Sequence, residues 1–173
     1  MFDLDMTLVD SSLAEEHRRN RLWPRVYQTI PQFTQYEGID EIIRMLVDNE
    51  VPVCIVTSSP STYCVKVINH FGWDIANTVC YHDTNRRKPH PDPILAGLHR
   101  LQATGPDAIS VGDNPNDIIA SKAAGVFAVA ATWGAPDKDA LLQADPDAVA
   151  ESPIVLRDLL IARLSQLAHL RGS

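Results

Sequence analysis

The segment Asp3-Leu4-Asp5-Met6-Thr7 places two carboxylates one residue apart, directly after the apolar pair Met1-Phe2. Alternate residues of a strand share a face, so Asp3 and Asp5 are expected to point into one site if the strand reaches that far. Carboxylates this close repel unless a proton or a cation lies between them. An oxygen-seeking divalent ion such as Mg²⁺ suits that position. Three more polar clusters follow apolar runs. Thr57, Ser58 and Ser59 come after the run 53–56 and offer hydroxyls to a phosphate oxygen. Arg87-Lys88-Pro89-His90-Pro91-Asp92 supplies a fixed cation. Gly112-Asp113-Asn114-Pro115-Asn116-Asp117 follows 109–111 with further carboxylates for a metal. A nucleophile, charge neutralisation and a metal are what phosphoryl transfer requires.

The elements that must position these residues alternate along the chain. Short apolar runs at 2–4, 51–57, 78–81, 108–111 and 127–131 lack strict polar alternation, as strands buried on both faces do. Helical patterns at 39–49, 61–71, 92–102, 117–124 and 138–144 fall between or after them. Pro60 after two serines and Pro115 after Asp113-Asn114 mark helix starts. Gly72, Gly105 and Gly125 mark ends. In 154–170 the spacing of Leu156, Leu160, Leu164 and Leu167 predicts an amphipathic helix docked on the sheet. Strand–helix alternation implies an α/β fold with a doubly wound parallel sheet, whose ligands sit at the carboxyl ends of the strands. A single domain over 1–173 is expected. The exception is 10–36, where no strand is expected and two helical pieces, 13–22 and 25–30, surround Pro24. This reads as a small helical insert above the site.

A chain of 173 residues with 45% hydrophobic and 21% charged residues can bury a core. The net charge of −7 argues against general nucleic-acid binding. No apolar run approaches the roughly 18 residues of a membrane span, and no signal peptide precedes Asp3, so no membrane association and a cytoplasmic location are expected. Cys54, Cys64 and Cys80 lack CxxC spacing and read as small buried hydrophobes. The six histidines show no metal-ligand spacing; His82 and His90 flank Lys88 as loop polarity. The basic cluster around Arg18, Arg19 and Arg21 reads as a solvated helix face paired with Glu15 and Glu16, in preference to an anion-gripping surface. Trp133 is expected to pack a loop.

The order DxDxT, Thr57 after an apolar strand, KPxPD and GDxxxD resembles the four motifs of the haloacid dehalogenase-like (HAD) hydrolases. Gly125-Val126 and Thr132-Trp133-Gly134 resemble the phosphoglycolate-phosphatase-like branch. The resemblance implies a Rossmann-like core in which 10–36 is a reduced cap. It implies that Asp3 attacks phosphorus to form an aspartyl phosphate and that Asp5 is general acid and base. Thr57 and Lys88 would hold the transferring phosphoryl group, with Ser58 on the substrate side. Asp113 would bind Mg²⁺ with Asp3 and the backbone carbonyl of Asp5, and Asp117 and Asn114 would lie beside the metal ligands.

The expected activity is therefore a Mg²⁺-dependent phosphatase acting on a phosphorylated small molecule or phosphoprotein. Alternatives are a phosphomutase using the same intermediate and a non-catalytic phosphate-binding or regulatory protein. A dehalogenase is disfavoured by Asp5. A reduced cap leaves room for a bulky substrate or for a second subunit in a homo-oligomer. Two departures stand out. Met6 occupies a position where the branch usually has glycine, and so little chain precedes Asp3 that a very short first strand, or a start upstream, is expected.

Overall fold

The structure is a computed structural model that describes the backbone of residues 1–171 and the side chains of residues 1–166. After Met1–Asp3, the chain forms β1 (Val9–Asp10), α1 (Glu15–Arg19), α2 (Trp23–Thr29), β2 (Thr34–Gln35), α3 (Ile39–Asp48) and β3 (Cys54–Val56). It continues through α4 (Ser61–Phe71), β4 (Asn77–Val79), α5 (Asp92–Leu101), β5 (Ile109–Gly112) and α6 (Pro115–Ala123). β6 (Phe127–Ala131), α7 (Lys138–Gln143), β7 (Ala148–Ala150) and α8 (Pro153–Arg171) complete it.

The parallel pairs β3–β4 and β5–β6–β7 become one sheet through Phe2, which bridges Ile55 on one side and Val111 on the other. Phe2 N–H donates to Cys54 O at 3.0 Å, and Asp3 N–H donates to Val111 O at 2.9 Å. The spatial order is β4–β3–(1–3)–β5–β6–β7, so the strand order reverses at the segment carrying Asp3. Such a reversal opens a crevice at the carboxyl edge of a doubly wound sheet.

Alternation of side chains along the strands divides the core. Ile55, Val111 and Val129 pack with Ile42 and Leu46 of α3, Tyr63 and Val67 of α4 and Leu156 and Leu160 of α8. Cys54, Val56 and Val79 face the other way, onto Ile94 and Leu98 of α5. Ala128 and Ala130 meet Ile118 of α6 and Leu141 of α7. Helices therefore cover both faces, as expected for strands apolar on both sides. Leu164 packs against the first of these clusters; the side chain of Leu167 lies outside the described residues.

Several local expectations are corrected. The region 10–36 holds α1, α2 and two 3₁₀ turns, but also β2, which pairs antiparallel with β1 through Val9↔Gln35 and Asp10↔Thr34. Two-residue strands carry no readable period. The first strand is shorter than 2–4: it bridges its neighbours at Phe2, and the amides of Leu8 and Val9 both donate to Leu4 O, at 3.0 and 3.2 Å, across a turn at 6–8. β3 starts at Cys54, two residues after Pro52, which has no amide hydrogen for a ladder. β4 ends at Val79 because the Cys80 amide donates to Asp83 Oδ2 at 2.7 Å. β7, unforeseen, pairs with β6. Gly105 ends no helix; α5 closes on Gln102, left-handed at φ 52°, while Gly72 and Gly125 close α4 and α6 at φ 68° and 70°. Neither serine before Pro60 caps α4 with its side chain.

Candidate active site

Each strand end delivers one part of a single cleft of about 870 Å³. Asp3 leaves the central segment, Thr57 and Ser58 follow β3, Lys88 sits in the loop after β4, and Asp113, Asn114 and Asp117 follow β5. All of them line the cleft, as does Asp5. The expectation that a continuing strand would aim Asp3 and Asp5 together is replaced by a turn. Met6, at φ 64°, takes the left-handed conformation that glycine adopts without strain, and its amide donates to Val9 O at 2.8 Å. Gly134 lies against that turn, where a Cβ would stand 1.9 Å from Met6 O.

Lys88 is the cationic centre. Its side chain is 5% exposed, and Nζ lies 2.8 Å from Asp3 Oδ1, 2.7 Å from Asp117 Oδ1 and 2.6 Å from Val56 O. All three ammonium hydrogens thus have acceptors. Burial alone would lower the Lys88 pKa, but Asp117 and Asp3 more than reverse that and hold it above its ordinary value. Asp117 is committed on both oxygens, since Oδ2 accepts the Asn114 amide at 3.1 Å. Asn114 Oδ1 in turn accepts the Asn116 amide at 3.1 Å, so the two residues cap α6 reciprocally. Gly112 permits this: a Cβ there would stand 2.4 Å from Asp117 Cβ.

Asp3, Asp113 and Asp117 each offer an oxygen within 4.8 Å of the others. Burial, and then the neighbouring carboxylates against the pull of Lys88, raise Asp3 from 3.8 to about 7. Burial and Asp117 raise Asp113 to about 7, although Thr7 Oγ1 donates to Asp113 Oδ1 at 2.7 Å. One ammonium among three carboxylates leaves an excess of negative charge. This hard-oxygen donor set fits a divalent cation such as Mg²⁺. Asp3 Oδ2 and Asp113 Oδ2 are the oxygens left for it, because Asp117 is spent on Lys88 and the cap.

Asp5 lies in a different environment. Ser11 Oγ donates to its Oδ1 at 2.6 Å, Tyr63 OH donates to the same oxygen at 2.5 Å, and Ser59 Oγ donates to Oδ2 at 3.0 Å. Burial pushes the Tyr63 hydroxyl up to about 12, which keeps it a donor. Arg18 of α1 forms an ion pair with Asp5 and donates through Nη1 to Ser11 Oγ at 2.7 Å. The basic cluster is therefore not uniformly a solvated face. Arg19 behaves as one, pairing with Glu15 at 2.7 Å with 74% of its side chain exposed, whereas Arg18 is turned inward at 14%. Ser59 and Arg18 were visible in the sequence only as a hydroxyl after β3 and as part of a basic cluster, and nothing there places them, Ser11 or Tyr63 around Asp5. Thr7 was visible only as the last letter of DxDxT.

The remaining candidates surround these groups or lie outside the cleft. Thr57 is buried, with Oγ1 accepting the Ser59 amide at 3.1 Å, and Ser58 is exposed. His82 lines the cleft, while His90 Nδ1 lies 3.0 Å from Asp92. Arg86 is held by both Asp92 oxygens, at 2.8 and 3.1 Å, and Arg87 stacks over Tyr81 at 4.2 Å. Trp133 fastens its loop by donating to Thr7 O at 3.0 Å. All three cysteines are free and buried. Among the described residues no helix is long and apolar enough to cross a membrane.

Residues 12–131 match the haloacid dehalogenase-like hydrolases. The chain belongs to that family. Among curated relatives in this family, the pyrophosphatase PpaX of Halalkalibacterium halodurans is 32% identical over 72% of this chain and 59% of its own length. The phosphoglycolate phosphatase of Shigella boydii is 29% identical over 88% of this chain and 62% of its own length. The chain thus spans about three fifths of these relatives. A hydrolase from Pseudomonas syringae superposes with a TM-score of 0.78 at 22% identity, covering 93% of this chain and 96% of that one. A HAD-superfamily hydrolase from Geobacter sulfurreducens gives 0.73 at 21%, covering 92% and 94%. These structures share the HAD fold found here.

Proposed function

We propose that the chain is a Mg²⁺-dependent phosphatase that hydrolyses a phosphorylated small molecule through an aspartyl phosphate on Asp3. The observation that carries this reading is the position of Asp3, which lines the cleft with Lys88 Nζ 2.8 Å from its Oδ1 and carboxylate oxygens of Asp113 and Asp117 within 4.8 Å. The two curated relatives named above, a pyrophosphatase and a phosphoglycolate phosphatase, act on small phosphorylated compounds and support the same class.

In this mechanism one carboxylate oxygen of Asp3 attacks phosphorus, and the bond from phosphorus to the leaving oxygen breaks as Asp5, protonated at that stage, gives that oxygen its proton. Water then attacks phosphorus, Asp5 takes its proton, and the Asp3–phosphorus bond breaks. Lys88 holds Asp3 in place and offsets charge on the phosphoryl oxygens. Thr57 and Ser58 supply hydroxyls to the phosphoryl and substrate sides. Asp3, Asp113 and the backbone carbonyl of Asp5 would hold Mg²⁺, with Asp117 and Asn114 fixing the loop that carries Asp113. When bound, the ion neutralises the carboxylates and the transferring group. Ser11, Ser59 and Tyr63 orient Asp5. Residues 10–36 form the reduced cap over a single hydrolase domain, and a cleft of about 870 Å³ is of the size that encloses a small metabolite.

The test is hydrolysis of p-nitrophenyl phosphate with Mg²⁺, with EDTA, and by Asp3→Asn. Turnover that needs the metal and disappears with the substitution is expected. Turnover that survives Asp3→Asn would refute the assignment.

A further inference from the structure

The inward turn of Arg18 has no role in the chemistry just described. It sits on the short helix α1 of the insert, and its guanidinium lines the cleft on the side of Asp5. If Asp5 serves the leaving oxygen, Arg18 faces the leaving group rather than the phosphoryl group.

The hydrogen bonding around it is lopsided. Asp5 Oδ1 already accepts from Ser11 and Tyr63, and Oδ2 accepts from Ser59, so three neutral donors satisfy that carboxylate without Arg18. Among the described residues, the hydrogen bonds of Arg18 run through Nη1 alone, to Ser11 Oγ at 2.7 Å and Tyr63 OH at 3.4 Å beside the ion pair with Asp5. Nη2 and Nε remain for a ligand. A guanidinium presents its donors as a rigid planar fork that matches an oxyanion, and such charge-assisted pairs are strong where water is scarce. The other cation that α1 turns to the cleft, Arg19, is engaged by Glu15.

We propose that Arg18 is a specificity-determining residue that receives a second oxyanion, carried on the leaving group of the phosphorylated substrate. This rests on the phosphatase reading above and goes beyond it. It makes the preferred substrate doubly anionic, with the phosphoryl group at Asp3 and Lys88 and the second anion at α1.

The experiment compares kcat/KM for two probes of nearly equal size, 2-phosphoglycolate, whose leaving group carries a carboxylate, and 2-hydroxyethyl phosphate, whose leaving group is neutral. Wild type should prefer the carboxylate probe. Arg18→Gln should shrink the ratio of the two kcat/KM values roughly 10- to 100-fold, mainly through KM of the carboxylate probe. Arg18→Lys, which keeps the charge and loses the fork, should give an intermediate ratio. The ratio cancels any loss common to both probes, such as a disturbed Asp5. It also keeps the test decisive if Arg18→Gln is too unstable to assay, since an unchanged ratio in Arg18→Lys overturns the proposal. Equal efficiency of wild type on both probes, or a ratio untouched by Arg18→Gln, overturns it while leaving the phosphatase reading intact. Absence of Mg²⁺-dependent turnover on these probes and on p-nitrophenyl phosphate overturns both.

Discussion

Asp113→Asn should make the metal-free protein more stable while abolishing its activity. The Asp113 carboxyl is raised from 3.8 to about 7, chiefly by burial and then by Asp117. Between those two values the folded chain holds a proton at this group that the unfolded chain has released. Its contribution to stability therefore falls as pH rises from about 4 to about 7, and the full cost is present above that. At 1.36 kcal/mol per pH unit the interval corresponds to about 4 kcal/mol. Asparagine removes the charge and can still accept the Thr7 hydroxyl now 2.7 Å from Oδ1. Sharing of the proton with Asp3 reduces the recoverable part to roughly 2–4 kcal/mol. For a domain of this size that is a rise of about 5–15 °C in Tm. The assay is thermal unfolding in EDTA at pH 8 and at pH 5. A rise at pH 8 that largely vanishes at pH 5, where the wild-type carboxyl is already protonated, is expected. Added Mg²⁺ should stabilise wild type more at pH 8 than at pH 5 and the variant at neither. An equal loss of stability at both pH values would refute the reasoning, because it would mean that the carboxylate contributes packing rather than excess charge.

Three further outcomes follow from single contacts. Lys88→Met leaves Asp3 and Asp117 buried without their shared cation and should cost about 3–5 kcal/mol in denaturant unfolding at pH 8; a neutral result would show that the carboxylates do not need it. Met6→Gly relieves a left-handed residue at about 1–2 kcal/mol but adds unfolded-state freedom, so a net gain of roughly 0.5–1 kcal/mol is expected. A clear loss in the same measurement would show that the Met6 side chain holds the turn. Gly134→Ala should lower both Tm and turnover, since its Cβ would meet Met6 O at 1.9 Å in backbone that carries Asp5; wild-type values for both would contradict the close approach.

Most parts of the fold and cleft that were legible in the sequence share one property. Asp3, Thr57 and Asp113 each lie directly after apolar runs, and the parallel topology then forces those strand ends to one edge; Lys88, separated from β4 by a polar loop, was legible through the KPxPD pattern instead. Helix α4 and strand β6 could be placed from composition and punctuation alone. What could not be read depends on tertiary rotation or on segments too short to have a period. Nothing in the alternation of Glu15, Glu16, Arg18 and Arg19 says which arginine turns inward; that is decided by how α1 sits over Tyr63. The pairing of β1 with β2 involves two residues a side. Gln102 ends α5 in a conformation that glycine usually supplies, so the helix stops within one residue of the expected 92–102 and Gly105 marks no helix end. Met6 was legible as a departure, and its positive φ shows what that position demands.

The most direct test of Asp3 as nucleophile is to trap the intermediate. The protein would be quenched in acid during turnover of a phosphorylated substrate with Mg²⁺, reduced with borohydride and mapped by peptide mass spectrometry. An acyl phosphate on Asp3 predicts conversion of residue 3 to homoserine, dependent on substrate and absent from Asp3→Asn. Rapid turnover with residue 3 unmodified and the label on another side chain would contradict it.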